Sequence, residues 1–202
     1  MPASSCQPNG PTWSPRRRGG SSPAAGRAAA IMAPMAASPE IDPALVRAAQ
    51  HGDRMAQGEL MDALIPFLGR ICGPIALQDG PDAVQEALIA IFRNLGQLRD
   101  PAAIFGWARA IAVREAVRVA RQAARATVGE LADVPAPGDP QLAADVADVL
   151  GRLTPEHRAV LVLRDLDGLS EREAGALLAV PGGTVRSRLL RARRAFRKAW
   201  GQ

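Results

Sequence analysis

The chain has 202 residues, 48% of them hydrophobic but only 3% aromatic, with no tyrosine. That allows one or two small domains with cores of Ala, Leu, Val and Ile, and the shortage of alternating β-branched and aromatic residues argues against a β-sandwich and for helices. The net charge is +5, and all but one of the 25 basic residues are Arg, whose guanidinium heads suit phosphates and base edges.

Residues 1–39 are rich in Pro, Gly, Ser and Ala and carry Arg16, Arg17, Arg18 and Arg27 with no acid, a composition that predicts a disordered basic tail. A secretory leader is the competing reading, but Arg27 and Pro34 interrupt its apolar run. Met32 and Met35 are alternative start positions.

Residues 40–126 read as a helical domain. Asp42-Pro43 starts one helix, Gly52-Asp53 separates it from a second, and Pro66 is expected to kink or break that second helix. Asp79-Gly80-Pro81-Asp82 starts a third over 79–98, with Val84, Leu88, Ile91, Phe92 and Leu95 as its apolar face. Asp82, Gln85 and Glu86 occupy its first turns, where acids suit the helix dipole. Arg99-Asp100-Pro101 begins a long helix to 126. On it Trp107, Arg114, Arg118 and Arg121 fall within ~60° of one another. Such a group either stacks and neutralises single-stranded nucleic acid or is a buried Trp covered by Arg stems.

Residues 127–151 form an acidic linker. Glu130, Asp133, Asp139, Asp145 and Asp148 have no basic residue among them, Pro135 to Pro140 break any helix, and a short helix is expected over about 141–151.

Residues 152–202 read as a compact helical unit. Thr154-Pro155-Glu156 caps a helix running to Leu166, and Gly168 ends it. Ser170 and Glu173 make a capping box for a short helix to Leu178. A turn at Ala179 to Gly182 leads into a stretch with seven basic residues and no acid from Thr184 to Lys198. Val185, Leu189, Ala192, Phe196 and Trp200 form its apolar stripe. Short helix, tight turn and longer basic helix make a helix-turn-helix, whose second helix enters the major groove. Residues near its start, Thr184, Arg186, Ser187, Arg188 and Arg191, are placed for base edges, and Arg194, Arg197 and Lys198 for phosphates.

Other classes find little support. Cys6 and Cys72 form no disulfide framework and suggest a reducing compartment; His51 and His157 are isolated, so no metal or cofactor is expected. There is no run of 18 apolar residues, so no membrane insertion is expected. No nucleophile–base cluster or glycine-rich phosphate loop points to an enzyme.

The segment LTPEHRAVLVLRDLDGLSEREAGALLAVPGGTVRSRLLRARRAF resembles region 4 of bacterial RNA polymerase sigma factors of the extracytoplasmic-function (ECF) group, most specifically in GTVRSRLLRAR, residues 183–193. PDAVQEALIAIFRNLGQL (81–98) and FGWARAIAVREAVRVAR (105–121) resemble region 2. The resemblance implies an all-α protein of two small helical domains joined by the linker. It implies that Asp82, Gln85 and Glu86 bind RNA polymerase core. It further implies that the segment 99–121, with Trp107, Arg114, Arg118 and Arg121, contacts the promoter −10 element, and that the start of the basic helix reads the −35 element. An anti-sigma factor is the further partner implied, and the cytoplasm the site of action. Within the match, Ala174-Gly175 stand where the family usually has Ile-Ala, and Ala179 where it usually has Gly. Two other readings are a polymerase-independent helix-turn-helix regulator and a sigma-like factor that binds core without initiating.

Overall fold

Two aspartates start the first two helices. The computed structural model describes residues 41–126 and 140–201, so the expected basic tail and most of the acidic linker lie outside the described residues. Asp42 accepts the Ala44 N–H at 2.7 Å to cap α1 (Pro43–Gln50). Asp53 accepts the Met55 and Ala56 N–H groups at 2.9 and 3.2 Å to cap α2 (Arg54–Ala76). Each cap satisfies donors that the first helical turn leaves unpaired.

The helix α2 runs unbroken through Pro66, so the break that the sequence allowed there does not occur. Pro66 sits on the exposed side, where the carbonyl that loses its N–H partner is open to solvent, while its neighbours Leu64, Phe67 and Leu68 are fully buried. Packing on one face therefore outweighs the lost hydrogen bond on the other. By length and mean hydropathy (1.5) the helical stretch Arg54–Gln97 is apolar enough to cross a membrane. The burial of Leu60, Leu64, Phe67, Leu68, Ile71 and Ile75 inside the protein accounts for that apolarity.

Helices α3 (Gly80–Asn94) and α4 (Ile104–Ala126) pack against α2 and against each other. The third helix is shorter than the expected 79–98 because a 3-10 turn, Leu95–Gln97, finishes it. Its buried face is Ala83, Ala87, Leu88 and Ile91, whereas Phe92, placed in the core by its spacing, is 47% exposed. Gln50 donates to the Leu95 and Leu98 carbonyls at 2.9 and 2.8 Å, so α1 fixes the loop leading into α4.

The remaining helices are α5 (Pro140–Gly151), α6 (Pro155–Leu161), α7 (Glu171–Leu178) and α8 (Gly182–Trp200). Thr154 caps α6, accepting the His157 N–H at 3.3 Å. The sequence predicts one helix to Leu166, but α6 gives way to a π-helical turn, Val162–Leu166, before Gly168 at φ +68° ends it. Both halves of the capping box form: Ser170 Oγ accepts the Glu173 N–H at 3.2 Å and Glu173 Oε2 accepts the Ser170 N–H at 2.8 Å. There is no strand among the described residues.

The turn between α7 and α8 explains two unusual residues. The Val180 carbonyl comes so close to α7 that a Cβ on Gly175 would lie 2.7 Å from its oxygen. Ala179 adopts the left-handed conformation at φ +53°, which glycine tolerates without the Cβ penalty. Ala179→Gly is expected to raise stability by about 0.5–1 kcal/mol, the removed strain outweighing the entropy that glycine adds to the unfolded chain. Gly175→Ala is expected to lower it by about 1–3 kcal/mol, the overpacking exceeding a helix-propensity gain of ~1 kcal/mol. Urea denaturation of both variants checks the pair of signs.

Candidate nucleic-acid and polymerase interface

The helix α8 owes its position to one stripe. Val185, Leu189 and Ala192 are buried, and Phe196 and Trp200 continue the stripe half-buried, their rings stacked at 5.8 Å. Docking that stripe turns Arg186, Arg191, Arg194, Arg197 and Lys198 outward, while Thr184, Ser187 and Arg188 are half-buried near the turn. No side chain caps the start of α8, so its first N–H groups remain free of side-chain partners.

The basic side chains differ in what holds them. Arg186 makes a two-pronged contact with Glu171 on α7, Nε to Oε1 and Nη2 to Oε2 both at 3.0 Å, and this guanidinium holds the Glu171 carboxyl below its usual range. Ser187 donates to the Thr184 carbonyl at 3.0 Å. Arg193 pairs with Asp165. Among the described residues, Arg188, Arg191, Arg194, Arg197 and Lys198 have no carboxylate within ion-pair distance.

On α4, Arg114, Arg118 and Arg121 do come together, lining a cleft of about 380 Å³ between α4 and the C-terminal helices. Arg188 of α8 and the apolar Leu177 and Leu178 close its other side. Arg125 lies in the same cleft; it follows Arg121 by four residues and Arg118 by seven, the spacing that signals one helical face. Trp107 does not join them. It is half-buried against the core, two turns before Arg114. Arg121 reaches Glu156 of α6 at 2.6 Å. Burial alone would raise the Glu156 carboxyl, but hydrogen bonds from its backbone and from Arg121 outweigh it and hold the group below its usual range.

Asp82, Gln85 and Glu86 all lie exposed on α3. Ile89 and Phe92, 45% and 47% exposed, extend that face by one and two turns, with Phe92 on the lip of a small apolar recess that includes Met61 and Leu64. By helical period Phe92 adjoins the buried Ile91, yet it faces outward. Glu86 also touches the DNA candidates, pairing with Arg118 at 2.8 Å, and Arg118 is further tied to Glu115 at 2.6 Å. The thiol of Cys72 is buried between α2 and α4, which pushes it up to about 12, and it serves no chemistry at this surface. No group of metal-ligating side chains exists among the described residues.

An all-helical chain ending in a helix-turn-helix with a basic second helix has the architecture of a DNA-binding transcription protein. The comparisons with known proteins narrow the class. Residues 143–196 match the family model "Sigma-70, region 4". The ECF RNA polymerase sigma-E factor of Haemophilus influenzae is 31% identical over 172 residues, covering 75% of this chain and 91% of that protein. A structure of CnrH in complex with the cytosolic domain of CnrY is similar with a TM-score of 0.54 at 26% identity, over 78% of this chain and 95% of that one. The sigma factor RpoE of Bartonella quintana, solved with the anti-sigma factor NepR, shares the fold with a TM-score of 0.58 at 20% identity, over 70% of this chain and 94% of that one. The chain belongs to the ECF RNA polymerase sigma factors. These relatives are sigma factors rather than enzymes, and they do not favour a polymerase-independent regulator.

Proposed function

We propose that the chain directs RNA polymerase core to promoters whose −35 element is read by α8 and whose −10 element is contacted by α4 and the loop before it. The observation that carries this reading is the outward basic face of α8, free of acids along its length and presented by a helix-turn-helix inside the segment matched to sigma region 4. Thr184, Arg186, Ser187, Arg188 and Arg191 lie at the end of the helix that enters the groove; Arg194, Arg197 and Lys198 lie where they meet phosphates. Arg186 already makes with Glu171 the two-pronged kind of contact it would make with guanine.

The division of labour runs along the chain as 40–126 for polymerase and the −10 element, 127–151 as linker, and 152–202 for the −35 element. Asp82, Gln85 and Glu86 form the polymerase-binding face, with Ile89 and Phe92 as its apolar anchors. Arg114, Arg118 and Arg121 neutralise the phosphates of the separated strand, and Trp107 offers its accessible edge for stacking. The structure of RpoE with the anti-sigma factor NepR, beside that of CnrH with the cytosolic domain of CnrY, supports an anti-sigma factor as a partner here too, and the sigma-E relatives support action in the cytoplasm.

Transcription in vitro with purified core polymerase tests the whole reading: promoter-dependent transcripts support it, and core binding without transcripts refutes it. Arg186→Ala should change sequence preference, costing about 1–3 kcal/mol at one base position. Arg197→Ala should weaken binding to all sequences alike and flatten the slope of log affinity against log salt by about one unit. Uniform loss in both variants would remove the assignment of separate roles on α8. Phe92→Ala should weaken core binding by about tenfold, the loss typical of an aromatic anchor, with no change in the helical signal; pull-down against core measures it.

A further inference from the structure

Among the side chains of α8 assigned to DNA, Arg186 alone is held by a carboxylate of the described residues. The partner is Glu171, fifteen residues earlier, at the first position of α7. Its place is fixed from two sides. The Ser170–Glu173 capping box holds the turn in which it lies. The start of α8 runs beside it, so that a Cβ on Gly182 would lie 3.8 Å from the Glu171 carbonyl oxygen. The Glu171 side chain is 31% exposed and that of Arg186 77%. The carboxylate is therefore the anchored member of the pair, and the guanidinium projects from it.

An acid in a first helical turn also suits the helix dipole, which by itself accounts for a glutamate here. It does not account for the geometry. Nε of Arg186 donates to Oε1 and Oε2 at 3.0 and 3.2 Å, and Nη2 donates to Oε2 at 3.0 Å. All three contacts use the edge of the guanidinium that runs from Nε to Nη2. A guanidinium carries five N–H donors in a fixed fork. Its outer edge, with one N–H from each of Nη1 and Nη2, stays open. Those two parallel donors match O6 and N7 of guanine, the commonest specific contact in the major groove. Arg186 can thus keep Glu171 on one edge and take a base on the other.

We propose that Glu171 is a positioning residue for base reading: it orients the Arg186 guanidinium toward guanine and withholds it from neighbouring phosphates. The inference rests on the assignment of Arg186 to a base edge. A long side chain that is free in water loses rotamer freedom when it docks, and that loss weakens the contact it makes. Here the ordering is completed when α7 and α8 pack, before DNA arrives. The pair is also neutral as a unit. On a sequence without guanine at that position, Arg186 stays with Glu171 and adds no phosphate contact. Discrimination is thus sharpened from both sides, by favouring the matching base and by denying a gain to the others. Arg194 and Arg197 have no carboxylate and keep their full charge for phosphate.

The test uses holoenzyme assembled from the full chain and purified core polymerase. It is offered duplexes randomised over the −35 element, and the bound sequences are counted. Arg186→Ala should abolish the preference for guanine at one position. Glu171→Gln, which keeps the side-chain length, should lower the preference at that same position about three- to tenfold, the cost of ordering a free arginine on DNA, and leave the other positions unchanged. The double variant should show no loss beyond that of Arg186→Ala. On a duplex lacking the element, Glu171→Gln should steepen the slope of log affinity against log salt by about one unit, because Arg186 is then free for phosphate. If Glu171→Gln loses helicity, Glu171→Asp, which keeps the first-turn acid but is one methylene short, decides by the same count. A guanine preference that survives in a folded Glu171 variant overturns the positioning, as does an equal weakening at every position, the mark of a structural role. An unchanged salt slope overturns the withholding from phosphate. Should Arg186→Ala itself leave the preference intact, the base-reading assignment falls and the role of Glu171 with it; loss in Arg186→Ala but not in Glu171→Gln removes the role of Glu171 alone.

Discussion

The arrangement depends on the burial of α2. It is covered by α1, α3 and α4 and touched by α6, and its large side chains Leu60, Leu64, Phe67, Leu68, Ile71 and Ile75 are withdrawn from water. With so few aromatics in the chain, this helix supplies most of the apolar bulk around which the others can condense. Phe67 shows how far its influence reaches. It meets Phe105 edge-to-face at 5.0 Å, anchoring the start of α4, and it supports the Arg109 guanidinium that reaches into the C-terminal helices.

Helix α8 works under a different constraint, since a helix with so many guanidiniums would repel itself without either counter-charges or a polyanion. The protein supplies counter-charges for part of it. Glu171 and Asp165 take up Arg186 and Arg193, and Glu156 and Glu86 do the same for Arg121 and Arg118 on α4. In these pairs the arginines are exposed and the carboxylates other than Glu86 are partly covered, and such pairs at a surface contribute little to stability. They order the side chains without committing them.

Much of this was legible in the sequence where the signal is local. The Ser170–Glu173 capping box, the Thr154 cap and Gly168 each act within four residues, and all three appear where the residues placed them. The buried stripe of α8 followed from the helical period alone. The errors came from contacts between distant parts of the chain. Pro66 remains inside α2 because packing across the core outweighs a rule about the backbone. Phe92 turns outward because Ala83 and Ala87, too small to attract notice, take the buried side of α3. Arg158 reads as one more surface arginine, and nothing near it in sequence reveals that the carbonyl it needs is 83 residues away. The grouping of Arg114, Arg118 and Arg121 was visible from spacing, but that Trp107 would pack half-buried against the core away from them was not.

Alanines recur on the buried sides of α3 and α4 among larger residues: Ala83 and Ala87 on one, Ala108, Ala112, Ala116 and Ala120 on the other. Small side chains let helix backbones approach closely and leave little slack. These two helices carry Glu86 and Arg118, one from each proposed contact surface, and the separation of those surfaces is set by the thickness of that seam. A single added methylene there acts as a spacer between the two proposed faces. The alanine-rich composition, which looks bland, thus works as a gauge that sets how far apart the two helices carrying Glu86 and Arg118 stand.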